Sequence, residues 1–197
     1  MAIYLVRHGE SASNAARIVQ LPDVRLSPAG IEQAERLSRR LADAGIARIL
    51  SSDLPRAVMT ADVLHRVTGA PMTLDPGLQE RNYGDVRGTP YASLCVDIFA
   101  ADYEPPGGET WAAFHARVDA VWARVVEAAA ATSGNLAVVT HGLVCQAVLE
   151  RHLDAPPGDA PVWGNTALTV VDGTPPRHVL VLASTTHLDA EPRGGRV

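Results

Sequence analysis

Apolar and polar positions follow two rhythms along the 197 residues, one of short solid runs and one of helical spacing. Residues 2–6 are an apolar run rich in strand formers, halted by Arg7-His8-Gly9, and this predicts a buried strand ending in a loop. Ser27-Pro28 predicts a helix start, and Ile31, Ala34, Leu37 and Leu41 then recur at helical spacing until Gly45. A second short strand is predicted over 47–50. Ser51-Ser52-Asp53 then offers caps for a helix with Ala57, Ala61 and Leu64 on its apolar face.

After Gly69, Pro71, Pro76, Gly77, Gly84, Gly88 and Pro90 break any long element as far as Pro105-Pro106-Gly107-Gly108. Such a stretch inside a compact domain usually serves function. From Glu109 a helix is predicted with Trp111, Phe114, Val118, Val121, Trp122, Val125 and Ala129 in one stripe, ended by Gly134. Residues 136–139 read as a third buried strand stopped by Thr140-His141-Gly142, residues 143–153 as a further helix, and residues 166–171 and 178–183 as strands. The polar tail over 190–197 is expected to fray.

Strands alternating with helices predict an α/β fold, a three-layer α/β/α sandwich with a mostly parallel central sheet, in a single domain over 1–189. Ligands of such sheets collect at the carboxyl ends of the strands. The unusual residues stand at three of those ends: Arg7-His8-Gly9, Ser51-Ser52-Asp53 leading to Arg56, and His141-Gly142.

Composition narrows the chemistry. With 47% hydrophobic and 20% charged residues, disorder is excluded. All 17 basic residues are arginine, so a lysine-bearing phosphate loop and Schiff-base chemistry are excluded too. Any anion must be held by guanidinium, imidazole or backbone N–H. The net charge of -5 argues against a nucleic-acid or membrane-surface partner. Cys95 and Cys145 read as reduced core residues. No run reaches the ~18 apolar residues of a membrane span, and no basic leader precedes the first apolar segment, so a cytoplasmic location is expected.

Two arginines and two histidines around one point would suit a phosphate dianion, because the guanidinium fork matches two phosphate oxygens. A histidine kept neutral by adjacent cations can act as nucleophile, passing the phosphoryl group to water, while a carboxylic acid protonates the leaving group. Glu80 is the obvious acid, with Glu10, Glu104 and Glu109 as rivals.

Arg7-His8-Gly9-Glu10-Ser11 with Asn14, Leu26-Ser27-Pro28-Ala29-Gly30, Ser51 to Arg56 with Thr60, Leu78-Gln79-Glu80-Arg81 with Gly84, Gly107-Gly108-Glu109-Thr110 and Thr140-His141-Gly142 occur in that order. The chain thereby resembles the histidine phosphatase superfamily, the phosphoglycerate-mutase-like group, in the branch whose second histidine is followed by glycine. The resemblance implies His8 as the phosphorylated nucleophile and Arg7, Arg56 and His141 as the rest of the phosphate pocket. It also implies Glu80 as proton donor, with Asn14 and the Gly142 N–H as further phosphate contacts. Ser11 either contacts phosphate or only caps a short helix. No metal and no cofactor are expected.

The expected function is hydrolysis of a small phosphate monoester by a monomer or homodimer. Phosphoglycerate mutase is the alternative, since Glu80-Arg81-Asn82-Tyr83-Gly84 is similar to the mutase pattern. Between Gly84 and Gly107, however, Arg87 is the single arginine, where the mutases carry a second cationic cluster. A non-catalytic scaffold on the same fold is a further alternative, disfavoured because all five key positions are filled. Arg81 reads equally as a structural ion pair or a substrate contact. Trp111 and Trp122 read as core, Trp163 as core or pocket lining, and His65, His115, His152, His178 and His187 as surface or structural residues.

Overall fold

An apolar run can be covered on both faces only at the centre of a sandwiched sheet. The computed structural model, which describes residues 1–155 and 161–189, places two such runs side by side as parallel strands, β1 (Ala2–Arg7) and β4 (Asn135–Thr140). Beyond β4 lie β2 (Ile46–Ser51) and the three-residue β3 (Met72–Leu74), both parallel. Beyond β1 lie β5 (Leu168–Asp172) and β6 (Val179–Ser184), each antiparallel to its inner neighbour, in the order β3-β2-β4-β1-β5-β6. The hairpin through 173–178 accounts for the antiparallel pairing of β5 with β6, since it needs no helical crossover.

Side chains alternate across the pleat and divide the core in two. Leu136, Val138, Ile3 and Leu5 pack with α4 (Trp111–Ala130) and α5 (Gly142–His152) through Phe114, Val118, Trp122 and Val148. Ala137, Val139, Val6 and Ile49 pack on the opposite side with α2 (Pro28–Arg40) and α3 (Pro55–Thr68) through Leu37, Ala57, Ala61 and Leu64. Each fully buried Leu, Val or Phe stabilises the fold by about 1.5–3 kcal/mol relative to exposure. The result is the expected three-layer α/β/α sandwich.

Several local expectations need correction. The helix after β2 is capped by Leu54 with Pro55 in its first turn, and the Ser52 hydroxyl only accepts the Leu54 N–H at 3.3 Å. β3 has no apolar pattern because it is a short, mostly exposed edge strand. Thr110 rather than Glu109 caps α4, accepting from Ala113 at 3.1 Å. Cys145 is buried as expected, but Cys95 is exposed in the irregular region. The tail from Ala190 lies outside the described residues.

Gly9 is required by a close backbone approach. A Cβ on it would stand 2.5 Å from the Gly30 carbonyl oxygen, and a Cβ on Gly30 would run into the Glu10 carbonyl. These glycines let the loop after β1 lie against the first turn of α2, where Ser27 accepts from Gly30 and donates to Glu10. Gly30→Ala should therefore destabilise the protein by about 1–3 kcal/mol in urea unfolding, although alanine is the better helix former by about 1 kcal/mol. An unchanged or raised midpoint would show that this backbone contact is not constraining.

Candidate active site

β1, β2 and β4 are parallel, so their carboxyl ends meet on one edge of the sheet. There the chain ends are tied together. The His8 N–H donates to the Thr140 carbonyl at 2.8 Å, and the Ser52 N–H donates to Val139 at 2.9 Å. The Gly9 N–H donates to Thr60 at 3.1 Å, whose hydroxyl donates back along α3 to Arg56 at 2.8 Å.

This lacing brings Arg7, His8, Arg56, Glu80, His141 and Gly142 to one place. The His8 and His141 rings are 1% and 0% exposed and meet edge-on, with centroids 5.0 Å apart. Arg7, Asn14, Arg56, Glu80 and Gly142 line an adjoining cavity of about 350 Å³.

His8 Nδ1 lies 2.6 Å from the Gly9 carbonyl, an acceptor only, so Nδ1 carries the hydrogen and Nε2 the lone pair. Burial, followed by the charges of Arg56 and Arg7, lowers the His8 pKa well below 6.5. Burial and then Arg56, His8 and Arg7 do the same to His141, whose Nε2 is 2.8 Å from the Ser52 hydroxyl. Both imidazoles are therefore neutral at physiological pH.

Arg7 donates to the Trp163 carbonyl, and Arg56 donates to the Leu21 carbonyl at 3.3 Å. The Nε of each is buried without a protein partner among the described residues. Burial, countered in part by Glu80, takes the Arg56 pKa from 12.5 to about 10, still fully charged at pH 7.

Glu80 accepts the Arg81 N–H at 3.0 Å and the Leu143 N–H at 3.2 Å, the latter in the first turn of α5. Burial raises its pKa above 4.5 against the pull of those N–H groups and of Arg56 and Arg7. A neutral histidine and a carboxyl that holds its proton more tightly than usual have the protonation states that a nucleophile and a general acid require.

Of the rival carboxylates, Glu104 is exposed and does not line the cavity, and the other two are engaged elsewhere. Glu10 accepts from Ser27, and Glu109 makes a two-pronged pair with Arg117 at 2.7 and 2.8 Å. Asn14 reaches the cavity wall, but Ser11 does not. The Ser11 hydroxyl is fully buried as the cap of α1 (Ala12–Ala15), accepting from Asn14 at 3.1 Å and donating to Gln20 at 2.8 Å. Arg81 forms no ion pair among the described residues, and although it borders the cavity its guanidinium is turned to the protein. It is 1% exposed, donates to the Glu109, Tyr103 and Ile98 carbonyls, and lies 3.8 Å over the Trp111 ring.

Trp111 is thus a platform for Arg81, half-buried rather than core, whereas Trp122 is core at 4% exposure. Trp163 lines the cavity, its indole N–H donating to Gln146 at 2.6 Å. No group of His, Cys, Asp and Glu among the described residues could hold a metal ion, and none of the described helices is long and apolar enough to cross a membrane.

The far wall of the cavity comes from residues that spacing could not single out: Val19, Gln20, Tyr83, Arg87, Tyr91, Phe99, Leu143 and Gln146. Tyr83, Tyr91 and Phe99 follow no helical or strand period. The one available signal was that three rings and an arginine interrupt a proline- and glycine-rich stretch. This stretch leaves and returns through one pinch, where Asp85 donates to Pro106 at 2.9 Å and Glu109 to Asn82 at 2.8 Å. Gly84, with φ +51°, has no room for a Cβ against the Pro106 carbonyl.

Comparison with known proteins agrees with this geometry. The sequence matches the histidine phosphatase superfamily (branch 1) over residues 3–186. Over 95 residues it is 42% identical to the probable phosphoglycerate mutase GpmB of Yersinia pestis, a match that spans 48% of this chain and 44% of that protein. The fold superposes on Bacillus stearothermophilus YhfR with a TM-score of 0.82 and 28% identity, over 94% of this chain and 98% of that one. It also superposes on a mycobacterial glucosyl-3-phosphoglycerate phosphatase solved with VO3, with a TM-score of 0.75 and 27% identity, over 87% and 90% of the two chains. By the match over residues 3–186, the chain belongs to the histidine phosphatase superfamily, branch 1, and is an enzyme of that type.

Proposed function

We propose that the protein hydrolyses small phosphate monoesters through a phosphohistidine on His8. The observation that carries this reading is the fixed tautomer of His8, which leaves Nε2 unprotonated in a site that carries the charges of Arg7 and Arg56. Arg7 and Arg56 take the phosphate oxygens, Arg7 exchanging the Trp163 carbonyl for them, and Asn14, His141 and the Gly142 N–H complete the pocket. The His8 Nε2 lone pair forms the N–P bond as the ester P–O bond breaks, and the leaving alkoxide takes the Glu80 proton. Water then attacks the phosphohistidine and gives its proton to the Glu80 carboxylate. Phosphate leaves and both groups return to their starting states.

The cavity's cations favour hydrolysis over mutase chemistry. A mutase must hold two phosphate groups at once and keep water out. Beyond Arg7 and Arg56, the cavity offers Arg87, while all three nitrogens of the Arg81 guanidinium donate to backbone carbonyls. The likeness to a relative named a probable phosphoglycerate mutase makes isomerisation the competing reading. With 3-phosphoglycerate, with and without 2,3-bisphosphoglycerate, phosphate release should outpace formation of 2-phosphoglycerate. Faster isomerisation would reverse the assignment.

His8→Ala should release no phosphate from phenyl phosphate above background and trap no acid-labile phosphoryl group. A variant as active as the native enzyme would falsify the mechanism. Glu80→Gln should slow alkyl phosphates by about 10²–10⁴-fold and nitrophenyl phosphate much less, because nitrophenolate leaves without a proton. Equal losses on both would remove Glu80 as the acid.

His8 is neutral down to well below pH 6.5, and Glu80 keeps its proton above the usual carboxyl range. The pH profile of kcat/KM should therefore peak on the acid side of neutrality and decline as Glu80 ionises. Glu80→Gln should remove that decline. Arg56→Lys conserves charge but loses the fork, and kcat/KM should fall by about ten- to a hundredfold; a change under twofold would show that charge alone suffices.

A further inference from the structure

Arg87 stands outside every motif that carries the phosphate chemistry, yet its backbone is held over the pocket. The Gly88 N–H donates to Val19 at 2.8 Å, Val19 donates to Thr89 at 2.9 Å, and Tyr91 donates to Arg17 at 2.9 Å. This ladder fixes residues 87–91 against the loop that supplies Leu21, the carbonyl partner of Arg56. The Arg87 side chain is half-buried, lines the cavity, and has neither ion pair nor side-chain hydrogen bond among the described residues. The acid whose charge it feels, Glu109, is already paired with Arg117. Arg56 and Arg87 line the same cavity, and the charge of Arg87 helps lower the Arg56 pKa.

Beside Arg87 stand three rings. Tyr91 and Phe99 stack at 6.3 Å with 13° between their planes, and Tyr83 meets Phe99 edge-on at 6.2 Å. Leu143 and Val19 continue this apolar wall. One unpaired guanidinium at the margin of an aromatic wall suits a singly charged, planar anion on an apolar body. A second phosphate dianion would need the additional donors that Arg81 has spent elsewhere.

We propose that Arg87 anchors a carboxylate of the substrate, so that the enzyme selects phosphate monoesters bearing a carboxylate on an apolar or aromatic body over the uncharged equivalents. This deepens the phosphatase reading and rests on it for turnover, but the recognition can be measured without turnover. Titration calorimetry with benzylphosphonate and 4-carboxybenzylphosphonate, neither of which can be hydrolysed, should show the carboxylated ligand binding about tenfold tighter. Arg87→Gln should bring the ratio of the two affinities close to one, while Arg17→Gln, outside the cavity, should keep it. Equal affinities in the native protein, or a preference that survives in Arg87→Gln, would overturn the assignment. Phenyl and 4-carboxyphenyl phosphate then report separately on chemistry. If neither is hydrolysed while the phosphonate preference holds, hydrolysis is refuted and the carboxylate site stands.

Discussion

Two guanidinium groups, Arg7 and Arg56, are packed beside two imidazoles at the carboxyl edge of the sheet, and Glu80 is the carboxylate that shares their cavity among the described residues. Gathering this much positive charge out of water is costly unless each donor finds an oxygen. The chain meets that demand with backbone carbonyls, Trp163 for Arg7 and Leu21 for Arg56, which carry no net charge and so leave the field of the cluster intact. Burial, reinforced by that field, keeps His8 and His141 neutral. The acid–base state of the site thus follows from burial, which the two arginines reinforce at the histidines and oppose at Glu80.

The same demand shapes the scaffold. A guanidinium can be held by carbonyls only if the loops that own them are fixed. Hence the lacing of strand ends through Thr140, Thr60 and Ser52, and the packing of the loop after β1 on α2 without intervening side chains at Gly9 and Gly30. Glu80 is positioned by two N–H groups, one from the next residue and one from the first turn of α5. The helix terminus that points toward the anion pocket therefore also orients the acid.

The sheet, its covering helices and the residues at three strand ends were legible in the sequence, because solid apolar runs and helical stripes report burial directly. So was the convergence of Arg7, His8, Arg56 and His141, which needed only the rule that parallel strands bring their carboxyl ends together. What escaped was set by pairwise geometry rather than period. Ser11 could not be separated into cap and ligand until its hydroxyl was seen to serve Asn14 and Gln20. Trp111 looked like core because it lies on the apolar stripe of α4, yet its ring supports a buried cation. β3 and the exposure of Cys95 left no pattern to read.

Arg81 and Arg87 show what decides such cases. Both lie in one irregular stretch, and both line the same cavity. Arg81 donates to three carbonyls and stands over the Trp111 and Tyr83 rings, so its donors are committed and its removal would release residues 98–109 from the domain. Arg87 has its backbone committed and its side chain without a partner among the described residues. An arginine with every donor satisfied within the protein holds the fold, and one whose donors face a cavity unsatisfied is available to a ligand. In a chain whose cations are all guanidinium, structural and recognition roles are separated by hydrogen-bond accounting and not by residue type.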